Sequence, residues 1–293
     1  ALTFASLGLR GVTRRRRRSL AVVALLACGS FLIVAIGVFR LDANTEAGKR
    51  ASGTGGFALL GETTLPVLRD LNTSTGREFY GLDETTFEEV RFVPFRVRDG
   101  DDASCLNLNR AQTPRLLGVN PAMLAERGAF TFARELAGAA GQRGWGLLKM
   151  AASSVGPLAN RNSPIVDPPE VPAIGDAASI QWALGKKVGD TLDYVDERGR
   201  PFQVRIVGAV ANSILQGNLI IDEAEFVRRF PGEAGHRMFL IDAPSNRVTP
   251  VAAALSRALE DLGLEVTPAA RRLAQFNAVQ NTYLNTFQVL GGL

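Results

Sequence analysis

The chain has 293 residues, 33 Lys+Arg against 29 Asp+Glu and a formal net charge of +4. A basic balance invites a nucleic-acid reading, but its distribution excludes one. Residues 1–40 hold seven arginines (Arg10, Arg14, Arg15, Arg16, Arg17, Arg18 and Arg40) and no acidic residue, so the remaining 26 basic groups face 29 acidic ones and residues 41–293 carry about −3. At 46% hydrophobic and 21% charged, the composition can bury an ordinary core.

Leu20 to Phe39 is a run of twenty residues without a charge. As a helix it is long enough to cross the hydrocarbon core of a bilayer, and too long for the apolar region of a cleaved signal peptide. Arg14, Arg15, Arg16, Arg17 and Arg18 precede it directly. The positive-inside rule keeps that end, residues 1–19, in the cytoplasm and sends the chain from about residue 41 across the membrane. The same arginines are suited to anionic lipid head groups.

Residues 42–56 are polar and small, as expected of a segment leaving a membrane, and Gly53 to Gly56 reads as a flexible loop because it matches no phosphate-binding pattern. A first strand is expected at Phe57–Leu60. Phe92–Val97 and Ser104–Asn109 read as a hairpin around Asp99-Gly100-Asp101-Asp102. Leu116–Val119 is a further strand, and Pro121 suits the first turn of a helix to Arg127. Residues 128–160 are rich in Gly and Ala and weakly specified. Pro164, Pro168, Pro169 and Pro172 mark 164–172 as an extended connector between a first lobe, 40–163, and a second, 173–268.

In the second lobe Asp176 is expected to cap a short helix to Leu184, with Gly185 as its stop. Leu192–Val195 and Phe202–Val207 flank a polar turn at Asp196–Gly199. A strand at Leu219–Ile221, a helix at Glu223–Phe230 and a strand at Phe239–Asp242 follow. Thr249 and Pro250 open a helix whose buried stripe is Val251, Leu255, Leu259 and Leu262, with Gly263 as its end. Leu264–Val266 is the last strand. From residue 269, Leu273, Phe276, Val279, Tyr283, Phe287 and Leu290 recur three or four apart with no charge after Arg272. Residues 269–293 therefore read as an exit helix leading into a second, truncated span. The fold class expected is α+β: a transmembrane helix, a two-lobed extracytoplasmic domain of short mixed sheets and helices, and the start of a second transmembrane helix.

Candidate chemistry is sparse. His236 is the single histidine and reads as a surface loop residue, which removes His-dependent triads and His-metal clusters. Cys28 lies in the apolar run and Cys105 is the other thiol, so no disulfide framework or zinc spacing exists. Glu88-Glu89 and Asp101-Asp102 are sequence neighbours that point apart, and read as solvated charges. Asn72-Thr73-Ser74 is a glycosylation sequon without meaning in a bacterial protein. Trp145 and Trp182 read as core or interface residues. No catalytic, cofactor-binding or metal-binding residue is assigned, and the substrate-binding residues are not readable.

The opening LGLRGVTRRRRRSLAVVALLACGSFLIVAIG resembles the basic segment and first membrane helix of FtsX/MacB-type ABC-transporter permeases. Gly185-Lys186-Lys187-Val188-Gly189-Asp190-Thr191-Leu192 and Phe202-Gln203-Val204-Arg205-Ile206-Val207-Gly208-Ala209-Val210 are similar to the end of that family's MacB-like periplasmic core domain. The resemblance implies a permease subunit in the bacterial inner membrane, with residues from about 41 to 275 extracytoplasmic. It also implies a cytoplasmic ABC ATPase partner, a second permease copy, and mechanotransmission to a lipoprotein, a peptide or a periplasmic protein. No GxxxxGK[ST] occurs, which agrees with ATP hydrolysis in another subunit. The competing expectations are a bitopic sensor or adaptor ectodomain and, less favoured for want of a nucleophile motif, a membrane-anchored hydrolase.

Overall fold

The computed structural model describes residues 16–38, 48–101, 112–137, 141–150 and 169–278. The chain divides into two units, residues 43–276 and the flanking residues 1–42 with 277–293. Within the flanking unit Arg16–Val38 is one α-helix, α1. It exposes Leu20, Val22, Val23, Leu25, Leu26, Phe31 and Val34. Among the described residues no helix is long and apolar enough to cross a membrane, so the span expected at 20–39 rests on the sequence. The second span expected from 279 onward lies outside the described residues.

Alternation of apolar residues builds the larger unit. In β9 (His236–Asp242), Met238 and Leu240 face one side while Phe239 and Ile241 face the other. The same alternation splits Leu59 from Leu60 in β1 (Leu59–Val67), Phe92 from Val93 in β2 (Arg91–Arg98) and Leu116 from Leu117 in β3 (Arg115–Val119). It recurs in β8 (Asn218–Asp222), where Leu219 and Ile221 oppose Ile220. With β4 (Phe132–Glu135), β5 (Glu170–Asp176), β6 (Thr191–Val195), β7 (Pro201–Val210) and β10 (Glu265–Pro268) they form a ten-stranded mixed sheet. Its order is β10-β1-β9-β2-β3-β8-β5-β7-β4, with β6 beside β7.

One face of this sheet is a single core from Leu60 to Val207. It is covered by α4 (Pro121–Arg127) and by the 3-10 helix Gly144–Lys149, whose buried Trp145 donates to Ala129 O at 2.8 Å. The opposite face carries two cores. α2 (Ser74–Phe79), α3 (Glu84–Phe87) and α6 (Val248–Ala258) cover the β1/β9/β2 half, and α5 (Glu223–Arg229) covers the β3/β8/β5/β7 half. Gly118 lets α5 approach: a Cβ there would lie 2.6 Å from Phe226 Cβ.

These facts correct the two sequential lobes. β3, from the expected first lobe, pairs in parallel with β8 from the second, and β1 pairs with β9 and β10. The physical division follows β2, whose first half pairs with β9 and second half with β3. The expected connector ends too late: residues 151–168 lie outside the described residues, but Pro172 already belongs to β5. Proline is tolerated there because β8 reaches β5 only at Ile174 and Gly175, leaving one edge at residue 172 without a ladder partner. The expected hairpin at 104–109 also lies outside the described residues, and β2 pairs with β3 instead. Helix α6 begins at Val248, so Pro250 falls inside its first turn, where an N–H is not needed.

Candidate functional site

Among the described residues no catalytic constellation assembles. Asp101 accepts from the backbone N–H groups of Gln112 and Thr113, as a turn residue does. Among the described residues no group of His, Cys, Asp and Glu is arranged to hold a metal. His236 is half-buried at the start of β9 rather than in a loop, 3.1 Å from Glu223 Oε1, which also accepts from Arg96 at 2.8 Å. Those two partners hold the Glu223 carboxyl below its ordinary range, the His236 contact most strongly. Asn72 spends its amide on β2, donating to Phe92 O and accepting from Phe92 N, both at 2.9 Å. A hollow of about 380 Å³ beside α5 is lined by Glu170, Asp222, Glu225, Arg228 and Arg229. Most of its charges pair locally: Glu170 binds Arg205, Glu225 binds both Arg228 and Arg229, and Asp222 accepts from Ala224 N at the start of α5, while Lys149 also lines the hollow.

The distinctive geometry lies where the domain's chain comes in and goes out. Ala58 N donates to Ile241 O at 3.0 Å, and Ala58 O accepts from Ala269 N at 2.9 Å, so the inbound and outbound residues are bonded to each other at the edge of the sheet. Upstream, Arg50 O accepts from Phe130 N at 2.8 Å, Ala51 O from Thr131 Oγ1 at 2.7 Å and Gly53 O from Ile214 N at 2.8 Å. Arg127 locks the turn that follows. Its guanidinium donates to Gly55 O and Gly56 O at 3.2 and 2.7 Å, pairs with Asp242, and lies 4.4 Å from the Phe57 ring centroid.

This corrects the expectation of a flexible loop at 53–56. Thr54 is fully buried, and a Cβ on Gly53 would lie 1.9 Å from Asn212 O and 2.9 Å from Leu273 Cδ2. Strain gathers here as well. Phe130 and Asn212, both non-glycine, have φ of +69° and +38°, beside Gly55 and Gly56 at +64° and +71°. Sequence reasoning missed the junction because a glycine needed for close approach and one needed for flexibility look alike.

From the junction a polar path leads to the far side of loop 211–217. Next to Ile214, Ser213 donates from N and Oγ to Asp176 Oδ2 at 2.6 and 2.9 Å. The other oxygen, Oδ1, accepts from Ala178 N at 2.9 Å. Burial pushes the Asp176 carboxyl up, and the donors from Ser213, Ala178 and Ser179 work against that shift. Ser179 Oγ accepts from Gly217 N at 2.9 Å. Asp176 thus does more than the expected capping: it ties the end of β5 to the loop that grips Gly53. The helix it starts is a π-turn, Ser179–Ala183, closed by Leu184 N to Ser179 O at 3.0 Å. Ile180 and Ala183 are buried beneath it, whereas Trp182 is 74% exposed.

Of the arginines marked by the sequence, Arg16, Arg17 and Arg18 are exposed in the first turn of α1, and Arg14 and Arg15 lie outside the described residues. No protein-family model matches the sequence, and no curated protein matches it. Among solved structures, the periplasmic region of MacB from Actinobacillus actinomycetemcomitans is similar to this chain at 11% identity, over 80% of this chain and 96% of that one, with a TM-score of 0.34. A likeness of that size carries no functional argument.

Proposed function

We propose that residues 43–276 are the extracytoplasmic domain of an ABC-transporter permease subunit, which passes motion from membrane helices driven by a cytoplasmic ATPase to an exported substrate or a periplasmic partner. The observation that carries this reading is the junction: the inbound and outbound chain are bonded to one another and to opposite ends of one continuous sheet. A domain inserted between two membrane helices needs its ends side by side. Because residues 50–58 are bonded both to Ala269 and to the body of the domain, motion delivered at either end of the domain can pass into the sheet. The uncharged run at 20–39, with five arginines before it, supplies the anchor and its orientation. Within α1, the apolar side chains exposed around the helix suit lipid better than water. A bitopic sensor or adaptor ectodomain requires the first anchor and gives no reason for the outbound chain to return beside it.

The test is purification of the full-length protein in lipid nanodiscs from its own cells, with identification of associated ATP-binding subunits and assay of ATP hydrolysis in the complex. The reading expects a stoichiometric nucleotide-binding subunit whose turnover depends on this chain. Recovery of the chain in bilayers with no such subunit would leave the sensor or adaptor reading in its place.

A further inference from the structure

The π-turn lies at the same end of β5 as the junction. Asp176 pairs in register with Val210, Ala211 N donates to Thr131 O, and Thr131 Oγ1 donates to Ala51 O. Ile180 is held against this end, its Cδ1 3.3 Å from where a Gly175 Cβ would stand. Trp182 is therefore carried on a turn clamped by Asp176 and Ser179, at the end of β5 that these bonds link to the inbound chain. The charge at this end is opposite to that of the domain as a whole. Segments 48–58, 176–190 and 269–276 contain Lys49, Arg50, Lys186, Lys187, Arg271 and Arg272 against two carboxylates, Asp190 and the fully buried Asp176, although residues 41–293 carry about −3. Lys186 and Lys187, on the turn that follows Trp182, are exposed; the Lys187 backbone N–H donates to Asp190 Oδ2 at 3.0 Å, while among the described residues neither ammonium group forms an ion pair.

The geometry points to a lipid-docking face at this end of the domain: Trp182 seats in the headgroup layer of the bilayer, and Lys186 and Lys187 bind the phosphates of anionic phospholipids. This rests on the membrane topology proposed above. An indole has an apolar body and one donor, which suits the boundary between acyl chain and headgroup, and lysines reach past it to phosphate. Each lysine near an anionic surface strengthens local partition by about fivefold. The docked face would hold the π-turn, and through Asp176 and Ser213 the junction itself, against the membrane that moves it.

The full chain in nanodiscs of phosphatidylcholine, with or without phosphatidylglycerol, tests this with lipids brominated near the headgroup. The signal of Trp182 is the wild-type fluorescence minus that of Trp182→Phe, a variant that keeps the buried Trp145. Quenching of Trp182 by brominated lipid is expected, stronger with phosphatidylglycerol, and reduced several-fold in a Lys186→Glu/Lys187→Glu variant with an unchanged thermal melt. Equal fluorescence in brominated and plain lipid overturns the inference and assigns Trp182 to a protein contact. Quenching that ignores both phosphatidylglycerol and the lysine substitutions overturns the anionic-lipid assignment. Failure of the chain to incorporate into nanodiscs overturns the topology as well, whereas incorporation without quenching overturns the docking face alone.

Discussion

Substituting Gly53 by alanine puts the junction under a load that can be worked out. The added Cβ meets Asn212 O at 1.9 Å, Leu273 Cδ2 at 2.9 Å and Asn212 C at 3.1 Å. A leucine methyl can swing aside, but a backbone carbonyl moves only with its chain, and Asn212 already has a φ of +38°. Relief must come from shifting the inbound segment, which breaks the 2.8 Å bond from Ile214 N to Gly53 O. Overpacking costs about 1–3 kcal/mol and the broken bond about 1 kcal/mol, so the loss is about 2–4 kcal/mol. For a unit of this size that lowers Tm by about 4–16 °C. Gly48, five residues upstream with nothing within 4 Å of its Cβ position, is the control, and Gly48→Ala should leave Tm unchanged. Circular dichroism melts of both variants, and of Gly53→Ala combined with Leu273→Ala, decide the matter. A Gly53→Ala melt within about 2 °C of wild type, or rescue by trimming Leu273, would refute the carbonyl clash as the cause.

Two further outcomes follow from the same geometry. Asp176 has a raised folded-state pKa, so its contribution to stability is complete below the ordinary carboxylate value, about 3.9, and is lost as pH rises through the folded value. Asp176→Asn removes that slope and sets an amide N–H against the Ser213 N–H, so urea titrations should show it about 1–3 kcal/mol less stable than wild type at acid pH, with the gap narrowing toward pH 8; parallel pH profiles would contradict this. Gly118→Ala drives a methyl to 2.6 Å from Phe226 Cβ and should lower the urea midpoint by the equivalent of about 1–3 kcal/mol at unchanged m-value, the outcome checked by a denaturation curve.

What could be read in advance was what neighbours in sequence decide. Asn120 and Pro121 at the start of α4, and Gly128 in the left-handed region at its end, act within one turn, and the helix appears with the bounds the sequence implies. The Leu192–Val195 and Phe202–Val207 hairpin is local too, and its alternating Phe202, Val204 and Ile206 face one core. The sheet order is a different kind of information. That β3 meets β8 across about a hundred residues, and that β2 changes partner halfway, depends on which buried faces match in size, which no short pattern encodes. Pro172 was misleading because proline excludes a strand only where both edges are paired. The junction was the least readable part. Its meaning comes from Asn212, Phe130 and Leu273, residues far along the chain that press on an apparently featureless Gly-Thr-Gly-Gly.

Leu273 tests a condition that the permease reading requires, namely that the outbound residues are part of the domain's core. Here Ala269 and Leu273 are 0% and 4% exposed and belong to the same core as Phe57, Phe130 and Leu240. Leu273→Ala therefore opens a cavity between the inbound and outbound chain, at a cost of about 2–4 kcal/mol. Because the void lies at the junction, proteolysis should report it first as cleavage between residues 48 and 58, ahead of global unfolding. A variant that loses less than about 0.5 kcal/mol, or that opens elsewhere first, would show that the outbound helix merely rests on the domain and cannot transmit force into it.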